Sequence, residues 1–255
     1  MVNERNISPK AIGVPVLVKT FPVGNANVYP FEEIVVRPLN FIGFINYVRN
    51  YPSNSDQYTS FLYTYNVAAQ YVDNMDDLYL PDIYYAFYLF WGISINDNLT
   101  FNVGYTCDVC GHKNSASVSM VDVSFKYYES PMFEVTLGGR TYQCKFPTGR
   151  KIREHIPKLI ASGKSKKMDF DIALLILSFI DFERRAFEIE QMVLNATHDD
   201  IVSLLTVLSD YILPPAKEAN LSCEKCGHIN SVNYYGRIAN DFFRIFMENR
   251  RFVTN

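Results

Sequence analysis

Apolar residues recur at three- and four-residue spacing in four stretches of the chain, which is the periodicity of an amphipathic helix. The stretches are residues 40–50, Ser53 to Val72, Pro81 to Ile93, and 169–213. Ser53 or Ser55 is the expected cap of the second helix, and the third helix begins at Pro81. In the fourth stretch one apolar stripe comprises Ile201, Leu204, Leu205, Leu208, Tyr211 and Ile212.

Two other stretches favour extended backbone. Residues 1–39 contain five prolines and two runs rich in β-branched residues, so they predict short strands or an extended arm. From residue 101 to 146 the apolar period shifts towards two, and Gly138-Gly139 stands between two alternating segments, as in an antiparallel hairpin. The pattern predicts an α+β fold, mainly helical, with an antiparallel β-hairpin element.

A nine-residue pattern, C-x-x-C-G-H-x-N-S, occurs twice, from Cys107 to Ser115 and from Cys223 to Ser231. Two residues between thiols let both sulfurs turn towards one ion, and the following glycine permits the positive φ of a tight knuckle. Two such knuckles supply the four sulfurs of a closed, structural zinc site. The predicted metal ligands are Cys107, Cys110, Cys223 and Cys226.

The long spacer between the knuckles shapes this prediction, because 112 residues separate Cys110 from Cys223. A single shared ion would clamp two distant segments into a zinc-ribbon-like element and loop out the helices between them. Two ions, each completed by other ligands such as His112 or His228, are the alternative. We interpret both histidines as knuckle-tip residues and Cys144 as a small buried apolar residue.

Other uses of paired cysteines remain open from the residues alone. A redox couple of the thioredoxin type does not require the Gly-His-x-Asn-Ser continuation, and no secretory signal supports disulfides. An iron–sulfur cluster is a further possibility within the metal interpretation.

Composition and charge narrow the function. The 255 residues are 48% hydrophobic and 20% charged, with 18 Tyr and 19 Phe against one Trp, which suits a folded protein with aromatic interfaces. The net charge of −3 is uneven: residues 1–100 carry −4, residues 101–168 carry +6, and residues 169–255 carry −5. We interpret the basic middle third as a linker or protein-docking surface rather than a phosphate-binding one, because the flanking thirds are acidic. No membrane-spanning run and no catalytic motif is present, so we expect no membrane partner, no small-molecule substrate and no enzymatic activity.

These patterns predict a division of the chain into six segments. They are an extended N-terminal arm or strands (1–39), a helical region (40–100), a β-rich knuckle region (101–150), a basic linker (151–168), a second helical region (169–215), and a second knuckle with a C-terminal helix (216–255).

The sequence also resembles the baseplate hub-assembly family of T-even-type contractile-tailed phages. The resemblance is carried by Val14-Pro15-Val16, Tyr29-Pro30, the run from Glu33 to Leu39, and Leu80-Pro81-Asp82, followed by the first knuckle, alternating strands, helices and a late second knuckle. It implies a non-enzymatic protein that helps to build the baseplate through contacts with other baseplate or tail proteins. Its expected location is the virion baseplate or tail, or the host cytoplasm during assembly. A zinc-ribbon nucleic-acid-binding or transcription factor is the alternative function.

Overall fold

The structure is a computed structural model, which describes residues 13–52, 56–95, 100–119, 125–212 and 218–233. The chain divides into two compact units, each built from several separate stretches. The first unit comprises Met1–Ile95, Tyr127–Pro131 and Phe146–Met168. The second comprises Asn96–Lys126, Met132–Lys145 and Asp169–Asn255.

Among the residues that the structure describes, the first unit contains one strand pair and four α-helices. Strands β1 (Val14–Leu17) and β2 (Glu33–Val36) pair antiparallel. Both fall in the β-branched runs for which we expected short strands or an extended arm. The helices are α1 (Phe41–Asn50), α2 (Gln57–Ala68), α3 (Leu80–Ile95) and α4 (Gly149–Ala161). The side chains of its core are apolar and fully buried: Phe21, Ile34, Tyr65, Leu78, Leu80, Ile83, Phe90, Ile152 and Ile156.

Helix α2 is shorter than the predicted span from Ser53 to Val72. Asp56 caps it, because its carboxylate accepts a hydrogen bond from the Thr59 backbone N–H at 2.8 Å. The two serines that we expected at this end lie outside the described residues. Beyond Ala68 the backbone turns, and Val72 forms an isolated bridge with Val36 of β2. The end of the helix therefore follows from a contact made with another segment.

Helix α4 occupies much of the segment that composition marks as a basic linker. It is amphipathic: Ile152 and Ile156 are fully buried on one side, whereas Arg150 and Arg153 are exposed on the other. A short 3₁₀ turn, Lys164–Lys166, follows it. The basic side chains are thus carried on the solvent face of a packed amphipathic helix.

The charged side chain of Asp82, at the start of α3, is buried in the first unit. Its carboxylate accepts hydrogen bonds from the Val23 backbone N–H at 2.7 Å and from the Tyr29 hydroxyl at 2.6 Å. The Tyr29 hydroxyl in turn accepts from the Tyr79 backbone N–H at 2.8 Å. Burial raises the pKa of Asp82 to about 7, against the opposing effect of these donors. This carboxylate ties the segment after β1 to the helical part of the unit.

In its described residues, the second unit contains three hairpins and three α-helices. The hairpins are β3–β4 (Thr100–Thr106 and Lys113–Ser119), β5–β6 (Met132–Leu137 and Arg140–Lys145) and β7–β8 (Glu218–Ser222 and Ile229–Asn233). All are antiparallel, and within the described residues each sheet has two strands. The helices are α5 (Phe170–Ser178), α6 (Phe182–Leu194) and α7 (His198–Val207), and α7 continues into a π-helical turn, Leu208–Ile212.

The predicted Gly138-Gly139 turn joins β5 to β6, and both glycines have positive φ, as a two-residue hairpin loop requires. The Gly138 backbone N–H donates to the Asp200 carboxylate of α7 at 2.8 Å. Asp200 also completes a capping box with Thr197 at the start of α7. Thr197 is the helix start that the sequence predicts, and Asp200 fixes the hairpin loop to it.

The apolar stripe predicted for α7 is divided between core and surface. Leu204, Leu208 and Ile212 are buried, whereas Ile201 and Leu205 are 46% and 60% exposed. The stripe is wider than the surface that the unit covers, so one turn of α7 presents aliphatic side chains to solvent. The predicted C-terminal helix lies outside the described residues.

The predicted fold class is confirmed: the chain is mainly helical with small antiparallel hairpins, and the two distant cysteine knuckles come together. The six-segment division stays a prediction. No helix in the described ranges has the length and apolar character needed to cross a bilayer.

Candidate metal centre

The four predicted cysteines lie at the tips of two hairpins in the second unit. Cys107 and Cys110 stand between β3 and β4, and Cys223 and Cys226 stand between β7 and β8. The two tips share one backbone geometry. In each, the N–H of the first cysteine donates to the histidine carbonyl and the glycine N–H donates back to that cysteine's carbonyl, at distances between 2.8 and 2.9 Å. Gly111 and Gly227 have φ of 67° and 73°, the left-handed conformation for which glycine is suited.

The hairpins bring the four sulfurs to one point. Cys107 Sγ lies 3.7 Å from Cys226 Sγ, and Cys110 Sγ lies 3.6 Å from Cys223 Sγ. All four sulfurs are within 4.8 Å of one another. A regular tetrahedron of thiolates around zinc, with zinc–sulfur bonds of about 2.3 Å, has sulfur–sulfur edges of about 3.8 Å. The four thiols therefore fit a single tetrahedral ion, with every donor position taken by sulfur.

The surroundings of the thiols favour thiolate at some sulfurs and oppose it at another. Burial raises the pKa of Cys223, but the backbone N–H groups of Cys226 and Lys225 and the Asn114 side chain outweigh it and bring the pKa to about 6. At Cys107, the pKa is lowered chiefly by the Cys110 backbone N–H. At Cys226, the His228 N–H lowers the pKa, but the neighbouring sulfurs raise it to about 12. Four adjacent thiolates repel one another, and a divalent cation is the group that removes this repulsion.

Asn114 and Asn230 are part of this site, and sequence reasoning did not assign them a role. The Oδ1 atom of Asn114 accepts from the Glu224 backbone N–H at 3.0 Å, and the Oδ1 atom of Asn230 accepts from the Asp108 backbone N–H at 3.0 Å. Each asparagine thus bonds to the tip of the other hairpin. Both are buried, at 5% and 2% exposure. The sequence did contain an indication of this role, because the repeated nine-residue pattern has an asparagine at the same position in both copies.

Asn114 and Tyr105 add further contacts between the hairpins. Asn114 Nδ2 lies 3.6 Å from the sulfur of Cys223, a weak donation to a thiol of the other hairpin. The Tyr105 hydroxyl of β3 donates to the Ser222 carbonyl at the end of β7, at 2.7 Å. The two hairpins are therefore joined by hydrogen bonds as well as by the proximity of their sulfurs.

The remaining candidate residues lie outside the sulfur cluster. The group of four ligand atoms contains neither His112, which is half-buried, nor His228, which is exposed. Cys144 is fully buried in β6.

Comparison with known proteins identifies one family. The family model described as T4 bacteriophage base plate protein matches residues 62–244, which include both cysteine hairpins. Searches of curated proteins and of solved structures give no significant match.

Proposed function

The chain belongs to the family of T4 bacteriophage base plate proteins, and on that premise we propose a non-enzymatic baseplate component, stabilised by structural zinc, that acts through contacts with other tail proteins. The family match extends over most of the chain and confirms the predicted family. The motifs between Val14 and Leu39 lie outside the matched residues 62–244. The protein is a phage baseplate structural protein, and the zinc and the protein contacts are the proposal.

The observation that carries the zinc proposal is the meeting of four thiols from segments 112 residues apart. Four sulfurs and no oxygen or nitrogen donor form the ligand set of a closed structural zinc site, which has no open position for water or substrate. When bound, zinc would supply a permanent cross-link between β3–β4 and β7–β8. Such a site stabilises the fold and catalyses nothing, which agrees with a structural role in the baseplate.

Support for a contact surface comes from helix α7. Ile201, Val202 and Leu205 are 46%, 53% and 60% exposed, and they lie within one turn and a half of the same helix. Clustered exposed aliphatic side chains are typical of surfaces that another protein covers. We assign this turn of α7 to the contact with a neighbouring baseplate protein.

The basic side chains of α4 give little support to the alternative of nucleic-acid binding. Arg150 pairs with Asp77 at 2.8 Å, and Arg153 pairs with Asp76 at 2.7 Å. Guanidinium groups held by carboxylates have less charge to offer a phosphate backbone. A salt titration against DNA and RNA tests this directly, and we expect no tight binding at modest salt.

The contact proposal is tested by a charge placed on α7. The tagged protein and its Leu205→Asp variant are expressed in infected cells and purified, and the co-purifying chains are identified by mass spectrometry. Gln191→Asp is the control, since Gln191 is exposed on helix α6 of the same unit and receives the same charge. We expect tail proteins to co-purify with the parent and the control but not with Leu205→Asp, while metal content is unchanged in all three. Equal recovery of tail proteins with both variants would remove α7 from the contact.

A further inference from the structure

The two asparagines of the repeated pattern form a reciprocal pair of hydrogen bonds. Asn114, from the first hairpin, accepts from the Glu224 N–H of the second, and Asn230, from the second, accepts from the Asp108 N–H of the first. In each case the donor is the residue that follows the first cysteine of the opposite knuckle. The contact therefore repeats under an approximate twofold relation between the hairpins, as in an isologous interface.

We propose that Asn114 and Asn230 are reciprocal positioning residues, each of which recognises the opposite knuckle and holds the four thiols in register for the metal. This inference rests on the proposed four-thiol metal site, and it adds residues that bind no metal themselves. In this proposal, hydrogen bonds between the two hairpins align them. Metal binding therefore does not have to supply the whole free energy needed to order the hairpins.

Asparagine is suited to this role because one side chain offers both an acceptor and two donors. The acceptor Oδ1 crosses to the opposite knuckle, while Nδ2 donates to the residue's own knuckle: Asn114 to the His112 carbonyl at 3.0 Å and Asn230 to the His228 carbonyl at 3.1 Å. The donations to the residue's own knuckle thus fix the orientation of the amide plane, so that Oδ1 faces the opposite knuckle. Aspartate would retain the acceptor but lose the donor, and alanine would lose both.

Burial makes these bonds consequential. Both asparagines are at most 5% exposed, so water does not readily replace a lost partner. The bonds also join distant residues: Asn114 and Glu224 are 110 positions apart, and Asn230 and Asp108 are 122 positions apart. Removing one therefore acts on the far hairpin as well as on the hairpin that carries the substitution.

The pair is not fully equivalent. Asn114 Nδ2 makes a second donation, at 3.6 Å, to the Cys223 sulfur of the opposite hairpin. Asn230 Nδ2 makes its second donation, at 3.4 Å, to the Leu221 carbonyl of its own hairpin. Hydrogen bonds to ligating groups tune how firmly a metal is held. Loss of Asn114 is therefore expected to affect the metal more than loss of Asn230.

The test is backbone amide hydrogen exchange, measured by NMR on the full-length zinc-loaded protein. Asn114→Ala is expected to speed exchange of the Glu224 amide about tenfold, and Asn230→Ala that of the Asp108 amide about tenfold. Asn220→Ala is the matched control, because Asn220 is an exposed asparagine of β7 in the same unit, and it should change neither amide. Zinc release to a chelator should accelerate roughly 10–100-fold in the two alanine variants, and more in Asn114→Ala.

Conservative variants separate positioning from general damage. Asn114→Asp keeps the acceptor oxygen, so the Glu224 amide should stay protected while zinc release still accelerates. An unchanged opposite amide in both alanine variants, or a change confined to the substituted hairpin, would overturn the positioning role. A protein that holds no zinc yet shows the crossed amide effect would support the asparagine contact and refute the metal. Bound zinc without any change at the opposite amide would support the metal site and refute the positioning role of the asparagines.

Discussion

Replacing Cys223 with serine removes one of the four convergent thiols and tests the metal clamp directly. Cys223 is buried, and its sulfur lies 3.6 Å from that of Cys110. The same sulfur accepts a weak hydrogen bond from Asn114 Nδ2. We expect Cys223→Ser and Cys107→Ser each to lose the single ion that the parent holds, because the two residues belong to different hairpins but to one site.

The magnitude follows from the loop that the ion closes. A cross-link between Cys110 and Cys223 encloses 112 residues. The chain-entropy relation for cross-links gives a stabilisation of about 5 kcal/mol for a loop of this length. For a chain of this size, the loss corresponds to a fall in melting temperature of about 10–20 °C.

The assay combines metal analysis with thermal and denaturant unfolding of the parent, the two serine variants and a chelator-treated parent. All the cysteines belong to the second compact unit, so its unfolding transition is the one to follow. Cys144→Ala is the control: it removes a buried cysteine outside the sulfur cluster, so it should lower stability while one ion per chain remains.

Two results would refute this reasoning. Two ions per chain, each lost in only one serine variant, would mean independent sites rather than a shared clamp. Loss of a single ion from both variants with an unchanged melting temperature would mean that the ion closes no loop that matters for folding.

Three further predictions concern the scaffold. Because the folded pKa of Asp82, about 7, lies above its ordinary 3.8, the folded state holds the proton more tightly, and the free energy of unfolding should fall as pH rises through this window; Asp82→Asn should flatten that dependence in denaturant titrations. Gly149→Ala should destabilise the first unit by about 1–3 kcal/mol in thermal unfolding, since the new Cβ would approach the Met75 carbonyl oxygen to 2.5 Å, and an unaltered melting temperature would contradict the close packing. Thr197→Ala should cost about 1 kcal/mol, because its hydroxyl accepts from the Asp200 N–H at the start of α7, and full stability in urea would show that this cap is dispensable.

The local sequence pattern was sufficient to predict those elements whose determining contacts are close in sequence. The Gly138-Gly139 hairpin, the start of α7 at Thr197 and the apolar helix beginning near Pro81 all appear as predicted, with shifts of a residue or two at some ends. In each case, the signal is a turn, a cap or a periodic run that is complete within a few residues.

The sequence predicted less where secondary structure or side-chain burial depends on packing against a distant part of the chain. Composition marked residues 151–168 as a basic linker, whereas α4 (Gly149–Ala161) occupies the first part of this segment, with Ile152 and Ile156 buried in the core. Likewise, α7 has more apolar positions than its unit covers, so Ile201 and Leu205 of the apolar stripe stay exposed.

The amino-acid sequence by itself determined the two knuckles: the cysteine spacing, the glycine with positive φ and the flanking strands are all encoded within nine residues and their neighbours. Only the tertiary structure decided that the knuckles meet, and that Asn114 and Asn230 each reach across to the other. The reason is physical, because a hairpin forms from contacts a few residues apart, whereas the meeting of two hairpins depends on how the 112 residues between Cys110 and Cys223 fold.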